Sequence, residues 1–275
     1  MVHKMNGTKL DKRSKELRKT IINTMEYGGR GHLGPAFSIV EILRVLYDDV
    51  LKYDVKNLKL KERDRFILSK GHGCLALYAI LAEKGFFPKS ELTNFCKSNS
   101  ILGGHPEHKI PGVEVSTGSL GHGLSYGIGF ALNSIYEKLS SRIFILIGDG
   151  ESGEGSIWEG ALCAGKHKLS NLTVLIDYNK LMTYGPTSEV QDLEPLADKW
   201  ESFGFGVKEI DGHDIEAVKS VLSNLPIEPN KPNAIICHTV KGKGIKFAES
   251  NPEWHHKSKL SKEEFENLYK SLEEY

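Results

Sequence analysis

Ile143-Phe144-Ile145-Leu146-Ile147-Gly148-Asp149-Gly150 opens a unit that closes with Leu172-Thr173-Val174-Leu175-Ile176-Asp177-Tyr178-Asn179. The first run is apolar throughout, as a strand covered on both faces should be. Gly148-Asp149-Gly150 breaks it, a helix is expected from about Ser156 to His167, and Leu172 to Asp177 reads as the next strand. Strand, helix and strand in that order predict neighbouring parallel strands joined by a right-handed crossover.

Outward from this unit the same alternation continues. Arg65 to Ser69 is a short buried-strand candidate that runs into Gly71-His72-Gly73 and a helix through Leu81. Phe205 to Ile210 and Ala234 to His238 read as later strands, with Asp214 capping a helix between them. Leu10 to Tyr27 has amphipathic helical spacing and ends at Gly28-Gly29. Ser38, with Glu41 at the third helical position, is expected to cap a helix from Ile39 to Leu51. A helix from Gly121 to Tyr136 is entered through glycines, and its Gly123, Gly127 and Gly129 predict close packing against another helix or a cofactor. Ser261 to Leu272 reads as a charged surface helix. The fold class is α/β, a parallel sheet with helices on both faces. With no repeat, low-complexity stretch or linker, residues 1–275 read as a single domain.

Composition removes several function classes. Lys plus Arg and Asp plus Glu are 36 each, which argues against nucleic-acid or anionic-membrane binding through overall charge. No apolar run approaches the ~20 residues of a membrane span. Met1 to Gly7 lacks the apolar stretch of a secretory signal, so a cytoplasmic location is expected. Cys74, Cys96, Cys163 and Cys237 lie far apart without CxxC spacing, which indicates neither a disulfide scaffold nor a zinc site.

In an open parallel sheet, ligands bind at the carboxyl ends of the strands. That rule selects Ser69 to Gly73, Gly148 to Gly155 and Asp177 to Leu181. Asp149 and Asn179, thirty residues apart, each follow a strand, and neighbouring strands would bring them together. An anionic oxygen and an amide oxygen suit a hard cation, Mg²⁺ or Ca²⁺. Gly148 and Gly150 leave the backbone bare, and the following helix offers its N-terminal amides to a diphosphate. By itself Gly-Asp-Gly is a common turn; Asn179 at this spacing and Glu154-Gly155 downstream favour a site. Four glycine loops also carry histidine, namely Gly31-His32, Gly71-His72, Gly104-His105 and Gly121-His122, and read as a site rim. Lys241-Gly242-Lys243-Gly244 reads either as a phosphate nest or as a flexible solvated loop.

Ile147 to Gly155, ending thirty residues on in Asp177-Tyr178-Asn179, resembles the thiamine diphosphate motif. From about Arg18 to His255 the chain resembles the N-terminal, diphosphate-binding domain of transketolases. Gly31-His32-Leu33-Gly34-Pro35 is similar to that family's Gly-His-Pro-Gly loop, with Leu33 where proline is usual. Leu68 to His72, Gly104 to Glu107, Thr117 to Gly121 and Trp254-His255 match further motifs in order, with His256 in place of a common glycine.

The resemblance implies thiamine diphosphate and a divalent ion as cofactors. Asp149 and Asn179 would ligate the ion by side chain and Leu181 by its carbonyl. His72, Gly148, Gly150 and Asn179 would contact the diphosphate side, with Gly118 and Leu120 lining the cofactor. Glu154 corresponds to a carboxylate that couples the two sites of a dimer. His32, His105 and His255 would face the sugar in catalysis, and His122 stands where glutamine is usual. His108, His167, His213 and His238 carry no such context.

The implied reaction moves a two-carbon ketol unit from a ketose, or its phosphate, to an aldose, the cofactor serving as electron sink. The family also needs a pyrimidine-binding domain with an activating glutamate, and no segment here resembles one. The expectation is therefore the N-terminal subunit of a split transketolase, active only with a C-terminal partner chain in an α₂β₂ assembly. Alternatives are a subunit of another thiamine diphosphate carboligase such as a deoxyxylulose-phosphate synthase, a non-catalytic thiamine-binding subunit, or a nucleotide-binding α/β domain.

Overall fold

The computed structural model describes residues 8–275, so the leader reading of Met1 to Gly7 lies outside the described residues. Seven strands are present among these: β1 (Arg30–Gly31), β2 (Arg65–Leu68), β3 (Ile143–Gly148), β4 (Leu172–Tyr178), β5 (Gly206–Asp211), β6 (Asn233–His238) and β7 (Lys257–Ser258). Five form one all-parallel sheet in the order β2-β3-β4-β6-β5, while β1 and β7 pair antiparallel as a separate ribbon.

Two apolar layers bury the sheet, and strand alternation divides the side chains between them. Phe144, Leu146, Leu175, Ile235 and Cys237 join a core with the helices Lys12–Gly28 and Cys74–Glu83. Ile143, Ile145, Ile147, Val174 and Ile176 face the other way, against Leu124, Ile157, Ala161 and Trp200. The continuous apolar runs of β3 and β4 follow from this double coverage.

Local signals act largely as the sequence implies. Asp11 caps the first helix by accepting from the Ser14 N–H, and Gly29 ends it at φ +66°. Asp214 accepts from the Glu216 and Ala217 N–H groups at the start of Ile215–Ser223. Ser38 departs from expectation. It lies in a helical conformation at the end of Leu33–Phe37, and its hydroxyl donates to Asp177 Oδ2 at 2.7 Å. Helix resumes at Val40–Val45, and its last turn, Leu46–Val50, widens so that the Leu51 N–H reaches the Leu46 carbonyl at 2.8 Å. The C-terminal helix Lys262–Glu274 is capped by a reciprocal Ser261–Glu264 box. It is more than a surface helix, because Phe265, Leu268 and Leu272 are buried against the first helix.

Gly123 and Gly127 of helix Gly123–Tyr136 pack on the sheet. A Cβ at Gly127 would meet Ile145 Cδ1 at 2.2 Å, and one at Gly123 would meet Ser69 at 2.3 Å. Gly129 faces open space, so its expected close contact does not form within this chain.

Candidate active site

The register Gly148↔Asp177 carries the ends of β3 and β4 out of the sheet side by side. The Asp149 N–H donates to the Asp177 carbonyl at 3.2 Å, which extends the ladder by one residue. Asp149 is buried; its Oδ1 accepts from the Gly150 N–H at 2.7 Å and its Oδ2 from the Lys180 N–H at 2.6 Å. Asn179 Oδ1 accepts from the Leu181 N–H at 3.1 Å, and its amide donates to Asp177 Oδ2 at 3.1 Å.

Motif reading misses a hub of buried charge beneath these groups. Asp177 is completely buried and accepts from Lys70 Nζ, the Ser38 and Thr239 hydroxyls and the Asn179 amide. Burial opposes its ionisation, yet Lys70 and these donors hold its carboxyl below the usual range. Lys70 also donates to the Pro35 carbonyl at 3.1 Å, tying the histidine loop to the strand ends. Glu151 performs a similar task, accepting from the Ser69 hydroxyl, the Gly121 N–H at 2.9 Å and the Gly148 N–H at 3.1 Å. The signal that could find this hub is a carboxylate ending an otherwise buried strand, since such a group requires a partner.

These loops enclose a cavity of about 360 Å³ lined by His32, His72, Gly118, Leu120, Gly148, Asp149, Gly150, Glu154, Asn179, Leu181 and His255. Lys70, Glu151, Lys241 and Tyr184 line it as well. Every candidate except His105 therefore borders one space. His105 lines an adjoining cavity of about 440 Å³, which shares His32 with the first. His122 is exposed and borders neither. Glu154 is exposed and makes no side-chain cap to the helix that it precedes.

Imidazoles dominate the wall. The His32 ring lies 5.7 Å from His72, 5.9 Å from His105, 5.6 Å from His255 and 4.5 Å from His256. His72 and His255 stack at 5.4 Å. Burial, then the neighbouring His256 and His105, push His32 down to about 3. Burial and Lys241 do the same for His255, while burial and Lys70 hold His72 well below its usual value. At neutral pH each ring is uncharged, offering one donor and one acceptor. Buried His255 Nδ1 has no hydrogen-bond partner among the described residues, an open valence on a residue that lines the cavity.

The Lys241–Gly244 segment is not a solvated loop. Lys241 and Lys243 are only 3% and 5% exposed. His213 Nε2 accepts from the Val240 N–H at 2.9 Å, so its Nδ1 carries the proton and donates to Glu41 Oε2 at 2.8 Å. Arg18 pairs with that Glu41 and donates to the Lys243 carbonyl at 2.7 Å. This relay holds Lys241 at the cavity, where it donates to the Leu181 carbonyl at 2.7 Å. Burial and Lys70 push Lys241 down to about 8. Burial and Asp177 push Asp149 up to about 6.

The arrangement suits an anionic ligand and a hard cation together. Among the described residues no three His, Cys, Asp or Glu side chains cluster as a metal cage. A cation beside Asp149 would rely on amide, carbonyl and ligand oxygens. Such a fold and site define an α/β domain for a diphosphate cofactor.

The family profile described as "Transketolase, thiamine diphosphate binding domain" matches residues 11–273. One subunit of an apulose-4-phosphate transketolase from Actinobacillus succinogenes is 45% identical over 93% of this chain and 93% of that protein. A 6-deoxy-6-sulfo-D-fructose transketolase subunit, SqwG, from Clostridium sp. is 41% identical over 94% of each. A Pichia stipitis transketolase complexed with sedoheptulose 7-phosphate superposes with a TM-score of 0.87 at 28% identity. The match covers 94% of this chain and 40% of that one. The chain thus spans about 40% of the length of the solved transketolases it matches. It belongs to the transketolase family of transferases and contains that family's thiamine diphosphate-binding domain. The nucleotide-binding alternative falls with this result. No helix among the described residues is long and apolar enough to cross a membrane.

Proposed function

We propose that this chain is the thiamine diphosphate-binding half of a two-chain transketolase that moves a two-carbon unit between sugars bearing an anionic group. The observation that carries this reading is the convergence of Asp149, Asn179 and the Leu181 carbonyl on one cavity with Gly150, His72, Lys241 and His255. Thiamine diphosphate, when bound, supplies the electron sink for cleaving and forming the carbon–carbon bond. Asp149, Asn179 and the Leu181 carbonyl would ligate Mg²⁺ or Ca²⁺, which suits an acid kept uncompensated beside Asp177. The diphosphate would take His72, the Gly148–Gly150 backbone and Lys241, with Gly118 and Leu120 along the cofactor.

His32, His105 and His255, uncharged at neutral pH, would hold sugar hydroxyls and move their protons. Two of the relatives that match along nearly their whole length are named for a sugar phosphate and a sulfo sugar, which supports an anionic substrate here. Exposed Tyr126, Ile135 and Leu162 lie on neighbouring helices and suit coverage by the C-terminal partner chain, in an α₂β₂ assembly. Glu154, exposed at the cavity edge, would meet the neighbouring protomer.

The test is reconstitution. The chain with Mg²⁺, thiamine diphosphate and a ketose–aldose pair should transfer no two-carbon unit, and should do so once a pyrimidine-binding chain is added. Turnover by the chain alone would overturn the two-chain reading.

A further inference from the structure

Helix Cys74–Glu83 leaves the Gly71-His72-Gly73 turn, directly after the His72 that lines the first cavity. Cys74 and Tyr78 stand four residues apart on it and so project from one face. Both are buried, and the face they share meets the loop that carries His105. The Tyr78 hydroxyl donates between the Gly103 carbonyl at 3.0 Å and the His105 carbonyl at 2.9 Å. The Cys74 thiol donates to the Gly104 carbonyl at 3.2 Å. Three successive carbonyls of one loop thus converge on two donors of one helix.

A buried tyrosine needs a single acceptor to satisfy its hydroxyl. Tyr78 instead spans two, on either side of Gly104. The loop has little stiffness of its own, because Gly103 and Gly104 precede the histidine. The His105 imidazole makes no hydrogen bond among the described residues and only packs, its ring centre 5.9 Å from that of His32. It rests on Gly118, where a Cβ would come within 3.1 Å of the ring. The aim of the imidazole is therefore set through its backbone. Burial pushes the Tyr78 phenol and the Cys74 thiol well above their usual values, so both keep their protons and stay donors at neutral pH.

We propose that Tyr78, assisted by Cys74, is a positioning residue for two-carbon transfer, fixing the 103–105 loop so that the His105 imidazole faces the sugar. The proposal rests on the transketolase reading, in which His105 handles sugar hydroxyls, and adds the group that aims it. Tyr78 lines neither cavity, so it acts only through His105. Because the same helix begins beside His72, one rigid element holds the cofactor wall and the sugar wall in register.

The test is a double-mutant cycle in the reconstituted enzyme between His105→Ala and Tyr78→Phe, which removes one oxygen and keeps the ring. Alone, Tyr78→Phe should lower kcat/KM for the ketose donor roughly tenfold, with thiamine diphosphate affinity within about twofold of wild type. On the His105→Ala background the same change should cost less than about twofold, because nothing is left to aim. An equal loss on both backgrounds, no loss on either, or a matching loss of cofactor affinity overturns the proposal. Cys74→Ala removes a weaker donor and should lower kcat/KM about threefold, with the same dependence on His105, and it carries the test if Tyr78→Phe does not fold. A second readout does not depend on turnover. Tyr78→Phe should move the His105 imidazole resonances of the full chain and leave those of His213 in place. Unmoved His105 resonances overturn the proposal, whereas a shift in a chain that supports no two-carbon transfer with its partner overturns only the transketolase reading.

Discussion

At the floor of the cavity, Asp149, Asp177, Lys70 and Glu151 are buried and bonded to backbone or to one another. At its rim, His32, His105, His255 and His256 come from three distant segments and are held mainly by ring packing. The floor is positioned by parallel-strand register, which fixes neighbouring strand ends to within a hydrogen bond. The rim depends on a two-residue ribbon and on the loops that carry His105 and His255. The floor is thus the rigid half, suited to a permanent cofactor, and the rim the adaptable half, suited to substrates that come and go.

The largest effect should come from opening the floor. Asp177→Asn leaves the Lys70 ammonium buried without its counter-charge and should cost about 3–5 kcal/mol in urea unfolding. A loss below about 1 kcal/mol would mean that the floor is not rigid in the sense argued.

Asp149→Asn should separate stability from binding at the same floor. Mg²⁺-dependent cofactor affinity of the reconstituted enzyme, by calorimetry, should fall on the order of 100-fold. The cofactor-free fold should lose only about 1 kcal/mol, because the amide keeps one acceptor and gives up one of the two bonds from the Gly150 and Lys180 N–H groups. Folding raises the Asp149 carboxyl from 3.8 to about 6, so the folded state binds the proton more tightly than the unfolded chain. The stabilisation from this group is complete below about pH 4 and is lost as pH rises through about 6. Wild-type stability should decline across that window relative to Asp149→Asn; parallel profiles would remove the uncompensated-acid argument.

Changes at the rim should leave the cofactor in place. His32→Ala and His105→Ala should lower kcat/KM for the sugar by roughly 10–100-fold, with cofactor affinity nearly unchanged. If His105→Ala instead abolishes cofactor binding, it belongs to the floor. The smallest effect is expected at Thr183, whose hydroxyl lies 3.3 Å from His255 Nε2. Thr183→Val should alter kcat/KM by about threefold at most, because one long hydrogen bond contributes little. A much larger loss would show that the rim is anchored more firmly than its contacts indicate.

Different parts of this architecture are legible to different degrees. The strands at Ile143, Leu172 and Ala234 can be read because apolar runs of that length need cover on both faces. Asp149 and Asn179 can be paired because a strand–helix–strand unit has a characteristic length. Ser38 misleads because its sequence context is that of a helix cap, whereas its hydroxyl is taken by Asp177, 139 positions away. Lys241 is ambiguous in sequence because glycine-rich basic segments look alike whether solvated or buried. Only the Arg18–Glu41–His213 relay makes this one interior.

By itself the sequence determined the order and type of the main elements, the spacing that brings Asp149 and Asn179 to neighbouring strand ends and the kinship with transketolases. These are encoded locally, in the period of apolar residues and in motifs of fixed length. Only the tertiary structure decided that Asp177 and Lys70 support the floor, and that His105 belongs to a second cavity with Arg30 and His256. Those relations join residues far apart in the chain, and burial rather than sequence proximity sets which charges must meet.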